Sequence, residues 1–474
     1  MASQNKRPLI DAETESIGNK KRNNNPGGGG NNEFVAPADF TDDLVEIVFS
    51  YLPVLSAARM SLVSSRFRHS WKHCKNMVFD KTLVCGIGHL KVMWAVDMAM
   101  KWHVGHKIDK FSICINNCGM KSLLDEWIRI AVRKNVEEIE LDYSPTQVSQ
   151  SVPVGVFEAH FVRTLKLINV NLEKPRRMQQ QWVRMTLLKD LRLRYCELKF
   201  FKAVFSRCLL LEYLEIFKCR SVGVLWLSAS KHRNFRTLKV LWCVDLEEIR
   251  MHAPTLKTFY YQGNMRKIVM KGRMPHLNGA CVHYIPAMSI MPENLFTKLI
   301  IGSANSLTAL SLNRVFIEVM CPLFRQGHPG ATEMVFPNLT ELEIYMETYT
   351  NRTIEEVLYF LKCCPRLEVF LIYLDGCQDK GEGFFRMLMM NTAQMTYNQQ
   401  FLHLRVIKIS EFKCSQHEHD LLEYFVTRSP ALKTLVLVTS HVSKCRRRSL
   451  QFLNHLRNIA VSPFLKISFF QLRP

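Results

Sequence analysis

Apolar residues recur along this chain with two different periods, and the change between them falls near residue 136. Between residues 40 and 71 the spacing is helical. Leu44, Val48 and Leu52 stand at i, i+4 and i+8, and Val45 and Phe49 widen them into an unusually broad apolar stripe. Asp39 or Thr41 can accept from the first free amides of that helix, with Asp42, Asp43 and Glu46 near its positive end. Pro53 interrupts it. A second amphipathic segment then carries Ala58, Leu62, Phe67 and Trp71, with Arg59, Arg66 and Arg68 elsewhere around the helix. A hairpin this short cannot bury so much apolar surface alone, so it needs either the rest of the chain or a partner.

Beyond residue 136 the period becomes that of short strands. Leu188-x-x-Leu191-x-Leu193-x-x-Cys196, Leu211-x-x-Leu214-x-Ile216-x-x-Cys219 and Phe235-x-x-Leu238-x-Val240-x-x-Cys243 share one template, with starts 23 and 24 residues apart. Looser copies begin upstream at Val136 and Val162, and downstream at Leu307, Leu339, Leu367, Leu404 and Leu432, at spacings of 26 to 37 residues. Segments at Leu123–Ile128 and Ile354–Leu361 read as helices between strands. Leu246-x-x-Ile249-x-Met251 and Leu256-x-x-Phe259-x-Tyr261 follow too closely for both to be full repeats, so at least one should be extended structure on the outer arc. Residues 262–305 are too poorly patterned to place strands. Each unit can bury its apolar side only against its neighbours, which predicts one continuous solenoid.

The strand template is similar to that of leucine-rich repeats, in which a strand points alternate residues inward and an Asn or Cys closes the following turn. Cysteine suits that place, being small, readily buried and a weak donor toward carbonyls. The hairpin resembles an F-box through Asp42-Asp43-Leu44, Val48, Leu52-Pro53, Leu62-Val63-Ser64, Arg66-Phe67 and Trp71, with Phe40-Thr41 where Leu-Pro is usual. The other reading of the hairpin is the first two helices of an ordinary globular core. Residues 452–469 are similar to the C-terminal element of many plant F-box proteins, and the whole pattern resembles a plant F-box/leucine-rich-repeat protein of FBD-like type.

The expected fold class is therefore α/β: a short helical F-box, then a leucine-rich-repeat solenoid built on a curved parallel sheet with helices and irregular outer arcs. The expected divisions are a disordered basic tail at 1–36, the F-box at 37–80, the solenoid at 81–445 and an FBD-like end at 446–474. The resemblance implies that Leu44, Val48, Leu52, Pro53, Leu62, Val63 and Phe67 dock a Skp-type adaptor and, through it, a cullin scaffold. The protein would then be the non-catalytic subunit that recruits a target to an SCF-type ubiquitin ligase.

The solenoid's concave face offers candidate target contacts: Arg192, Arg194, Tyr195, Phe217, Lys218, Lys239 and Trp242. Aromatics beside Arg and Lys make up recognition surfaces, since rings supply area and Arg supplies oriented donors. The target itself cannot be read from the sequence, nor whether a small ligand gates it.

The 474 residues are 47% hydrophobic and 22% charged, enough for a large core, and carry a formal net charge of +21. That charge favours acidic partners, and leaves as an alternative a basic scaffold that binds nucleic acid or acidic proteins without any ligase role. The basic residues are spread along the chain, however, and a nucleic-acid reading leaves the hairpin unexplained. Lys6-Arg7 and Lys20-Lys21-Arg22 are spaced like a bipartite import signal, so nucleus, cytoplasm or both are expected. The polar start is no signal peptide and no apolar run is long enough to span a bilayer, so no membrane partner is expected. The 15 cysteines read as free thiols of a reducing compartment. Cys414-x-x-His417-x-His419, with His403 and Cys445 elsewhere in that region, lacks the second ligand pair of a zinc site and reads as a polar loop opening a helix. Cys114 and Cys118 read as a buried pair in the first repeat, and Cys363-Cys364-Pro365 as an inward-packed helix end. No phosphate loop or catalytic constellation emerges, and no cofactor is expected.

Overall fold

The computed structural model describes residues 42–81, 89–116, 119–146, 150–174, 183–220, 223–264, 267–285, 297–325, 335–346, 351–374, 400–439 and 446–471. The chain opens with helices α1 (Asp42–Tyr51) and α2 (Val54–Met60). The strands that follow are β1 (Asn76–Phe79), β2 (Lys110–Cys114), β3 (Glu138–Asp142), β4 (Gln150–Ser151), β5 (Thr164–Ile168), β6 (Val170–Asn171) and β7 (Asp190–Arg194). Next come β8 (Tyr213–Phe217), β9 (Val224–Ser228), β10 (Thr237–Leu241), β11 (Glu248–His252), β12 (Thr258–Gly263), β13 (Lys267–Met270) and β14 (Gly279–Tyr284). The last are β15 (Ala309–Asn313), β16 (Glu341–Met346), β17 (Val369–Leu374), β18 (Val406–Ser410), β19 (Thr434–Thr439) and β20 (Lys466–Gln471).

Fifteen of these strands form one sheet in the order β1-β2-β3-β5-β7-β8-β10-β12-β14-β15-β16-β17-β18-β19-β20. Neighbouring strands pair parallel, in a register that stacks like on like: Ile139, Leu165, Leu191, Leu214, Leu238 and Phe259 lie opposite one another in turn. Those residues are buried, while the alternate positions look outward, as period-two patterning requires. Helices such as Lys121–Arg133 and Asn351–Lys362 connect the strands and send their apolar sides into the same core.

In each template from the one at Val136 to the one ending at Leu437, the second and third apolar positions fall on a strand and the first lies two residues before it. The closely spaced pair resolves cleanly. Leu256–Tyr261 supplies β12 of the main sheet, and Leu246–Met251 supplies β11, which joins β9 and β13 in a separate three-stranded sheet. That small sheet fills, between β8 and β14, the connecting stretches that helices fill elsewhere. Residues 262–305, unplaced from sequence, contain β13, β14 and the helix Thr297–Gly302.

The helical pair caps the first edge of the main sheet. Val45, Phe49, Val54 and Ala57 are buried in a core continuous with that of the repeats. The Lys75 amide donates to the Ser50 carbonyl, the Asn76 amide side chain donates to the Tyr51 carbonyl, and Pro53 bridges to Asn76 of β1. The second amphipathic segment is not one continuous helix: α2 stops at Met60, and two 3-10 turns, Ser65–Phe67 and Ser70–His73, follow. Serines end it, because hydroxyls compete for backbone carbonyls; Ser61 Oγ donates to the Ala58 carbonyl at 2.6 Å.

At the other end, the helix Arg446–Ile459 leads through a turn to β20, which pairs with β19 and closes the sheet. The basic tail, Cys118, Cys445 and residues 175–182, which include Arg176-Arg177, lie outside the described residues.

Candidate functional site

On the paired helices, the apolar residues divide into two sets. Val45 and Phe49 point inward, and the Phe49 ring lies 5.3 Å from that of Phe67. Leu52 and Phe67, both expected to contact a partner, instead pack half-buried against this chain's own core. The aromatic contact with Phe49 and the short turn after Leu52 account for that. The other set faces out: Leu44 is 45% exposed, Val48 47%, Leu62 86% and Val63 74%, and Pro53 is exposed as well. Ile47, Tyr51 and Met60 join this outer set and were not anticipated. The break after Met60 turns Leu62 and Val63 out of the helix and into solvent. Leaving so many large apolar side chains exposed on one short hairpin is costly in water and marks an interaction surface.

The outward face of the main sheet is built from rows of side chains in register. Along β2, β3 and β5 its charges are paired: Lys110 and Lys166 lie 2.9 and 2.7 Å from Glu138. Toward the centre, Arg192 forks onto Asp190 at 2.8 Å, and that bond raises the guanidinium pKa further. Arg194 reaches across to Glu215 at 2.7 Å, and the Tyr213 hydroxyl donates to the other oxygen of that carboxylate at 2.8 Å. Burial opposes the charge on Glu215, but the bonds from Arg194 and Tyr213 outweigh it and hold its pKa below the usual value.

All seven residues read from sequence as target contacts lie on this face or at its rim. Arg194, Tyr195, Lys218 and Trp242 are exposed; Arg192, Phe217 and Lys239 are half-covered. The structure gathers them into one patch, with Tyr195 edge-on to Phe217 at 5.6 Å. Tyr213 and Tyr260 complete the patch and were missed. Tyr213 opens β8 just before its template leucine, and Tyr260 holds the register of Lys239 on β12, a strand whose place on the sheet the sequence left open.

Tyr195, Lys218 and Trp242 each follow the last residue of their strand with φ of 57°, 50° and 58°. This left-handed turn is a property of the fold, since Asn169 and Glu411 hold the same place with φ of 57° and 60°. Asn fits it readily, whereas Tyr and Trp do not. The next residue then turns inward. Cys196, Cys219 and Cys243 donate their thiols to the carbonyls of Leu167, Leu193 and Ile216 in the preceding repeat, at 3.3, 3.3 and 3.8 Å. Burial pushes the Cys243 thiol up to about 11 and Cys219 well above its ordinary value, so neither is a ready nucleophile.

The Cys414–His419 stretch opens the helix Gln416–Val426, as read from sequence. Ser415 caps that helix, and the Ser415 amide donates to the Glu418 carboxylate at 2.7 Å, a complete capping box. His419 stacks on Phe452. The His417 side chain lies outside the described residues, and among the described residues no three His, Cys, Asp or Glu side chains cluster to hold a metal ion. Cys363 and Cys364 follow the helix Asn351–Lys362 and pack inward.

A family model described as the At1g61320/AtMIF1 leucine-rich-repeat domain matches residues 99–461, and an F-box domain model matches residues 38–79. The chain belongs to the At1g61320/AtMIF1 leucine-rich-repeat family and carries an F-box. Among its relatives, the putative FBD-associated F-box protein At1g61330 of Arabidopsis thaliana is 27% identical over 405 residues, covering 84% of this chain and 89% of that one. The FBD-associated F-box protein At1g61320 of the same plant is 27% identical over 416 residues, covering 84% and 87%. The F-box/FBD/LRR-repeat protein At1g13570, also of Arabidopsis thaliana, is 21% identical over 449 residues, covering 92% and 98%. Membership in this F-box family supports an adaptor role, with an F-box for docking and repeats for binding protein.

Proposed function

We propose that the protein is the target-recruiting subunit of an SCF-type cullin ubiquitin ligase, acting in the nucleus, the cytoplasm or both. The F-box docks a Skp-type adaptor through Leu44, Val48, Pro53, Leu62 and Val63, and the outward face of the main sheet holds the protein to be ubiquitinated. Its contribution to rate is positioning: a lysine of the target is held near the charged conjugating enzyme, which turns an encounter into a local event. No chemical step is assigned to its own side chains.

The observation that carries this reading is the outer apolar cluster of the hairpin, headed by Leu62 and Val63 in the turn after α2. Such a surface gains free energy when another polypeptide covers it. Leu62→Asp with Val63→Asp tests it. Both side chains are exposed, so the fold should lose no more than about 0.5 kcal/mol per site. Capture of a recombinant Skp-type adaptor should disappear, while thermal unfolding stays put. Undiminished capture would remove the basis of the proposal. Leu52→Asp is the poorer test, because Leu52 packs on this chain's own core.

A further inference from the structure

Two cations in the central patch lack the carboxylate partner that four others on the same sheet face have. Arg192 and Arg194 have carboxylates, as do Lys110 and Lys166. Among the described residues, Lys218 and Lys239 have no carboxylate within ion-pair distance. Lys239 would be expected to pair with Glu215, which lies directly opposite it on β8. That carboxylate, however, is buried and already committed to Arg194 and Tyr213. Lys239 therefore rests between rings, its Nζ 4.6 Å from the centre of Tyr260 and 5.6 Å from that of Tyr213. Lys218 does the same between Phe217 at 5.5 Å and Tyr195 at 5.7 Å.

A ring face attracts an ammonium but accepts no strong hydrogen bond, so donors on each Nζ remain available to an outside acceptor. Both side chains are also held in place, which lowers the entropy lost when a ligand arrives. Exposed Tyr195, Tyr260 and Trp242 surround them with contact area. The strained left-handed backbone at Tyr195 and Trp242 is what a site selected for large side chains would tolerate.

We propose that this patch, from β7 to β12, recognises an acidic peptide segment of the target, with two anionic side chains meeting Lys218 and Lys239. The proposal rests on reading the sheet face as the target surface. The two lysines sit one strand spacing and three residue rises apart, roughly 11 Å, which a peptide in polyproline II conformation spans in about three residues with both anionic side chains on one side. The expected pattern is therefore acidic-x-x-acidic with apolar or aromatic residues between. A nucleic acid fits less well. Its continuous phosphate backbone would run onto Asp190, Glu138 and Glu140 on one side and Glu341 and Glu343 on the other, all on this sheet face.

The test uses the full chain and fluorescence anisotropy. The probes are a labelled peptide carrying Glu-x-x-Glu, its Gln-x-x-Gln counterpart, its phosphoserine counterpart and a single-stranded oligonucleotide. The Glu peptide should bind at least about tenfold tighter than the Gln peptide, a difference of ~1.4 kcal/mol. Lys218→Glu with Lys239→Glu should abolish that preference, and Lys218→Gln with Lys239→Gln should weaken it in the same direction. Lys267→Glu with Lys408→Glu makes the same change in net charge elsewhere and should leave it largely intact. Tighter binding of either the Glu or the phosphoserine peptide supports the proposal and says which kind of acidic target is meant. Equal binding of Glu and Gln peptides overturns it, as do equal losses in the two charge-reversed variants or preference for the oligonucleotide. Adaptor capture is measured on the same proteins: its failure alone would sink the ligase reading and not the peptide site, and failure of peptide binding alone would do the reverse.

Discussion

At the scale of single residues, the repeat is closed by sulfur. Cys219 donates to the Leu193 carbonyl at 3.3 Å and to Phe217 at 3.6 Å from a buried position, linking one turn of the solenoid to the turn before. Cys219→Ala removes a weak donor from two carbonyls and leaves a small void. We expect a loss of about 1 kcal/mol, seen as a lower urea midpoint with unchanged slope. An unmoved midpoint would mean that the thiol only fills space. This role was readable in the sequence, because a small buried residue at a fixed offset after two template leucines leaves few alternatives. The left-handed backbone just before it was not readable. Tyr195, Lys218 and Trp242 are poor formers of that conformation, and the turn forces it on them.

Among elements, legibility followed the strength of the leucine pattern. Strands with a full template, such as β7, β8 and β10, stood out, and β14 was hidden because Ala280 stands where a leucine is usual. β1 was hidden in the same way, its template positions being Cys74, Met77 and Phe79. β11 and β12 carry equally good patterns, and only parallel pairing assigns them to different sheets. The F-box divided the same way: its inventory of apolar residues was plain, but which of them face inward depends on where α2 breaks. Phe49→Ala exploits that division. Phe49 is buried against Phe67, so its removal should cost ~3–5 kcal/mol and lower the thermal transition, whereas Leu62→Asp should not. Identical melting curves for the two variants would contradict the inside-outside assignment.

For the whole molecule, buried histidines set the response to acid. Burial lowers the pKa of His103, His232, His283 and His419 below the usual 6.5, and His103 and His283 fall to about 4. In the unfolded chain these rings take a proton near 6.5, but His103 and His283 in the fold do not until about 4. The unfolded state therefore binds more protons across that window, so this share of stability is complete above it and is lost as pH falls through it. Each of the two strongly shifted rings contributes up to roughly 3 kcal/mol. Tm should drop as pH falls from about 6.5 to about 4, and His103→Gln, which keeps a donor for the Cys74 carbonyl, should flatten the slope. A level Tm would refute this. The joint between α1 and β1 has its own consequence at this scale. The hairpin is anchored to the first strand at Ser50, Tyr51 and Pro53 and shares its core, so no swivel separates handle from arm. Under the proposed recruiting role, anything the arm holds is aimed by the chain's own folding, and a solenoid with one coil more or fewer would present it at a different bearing.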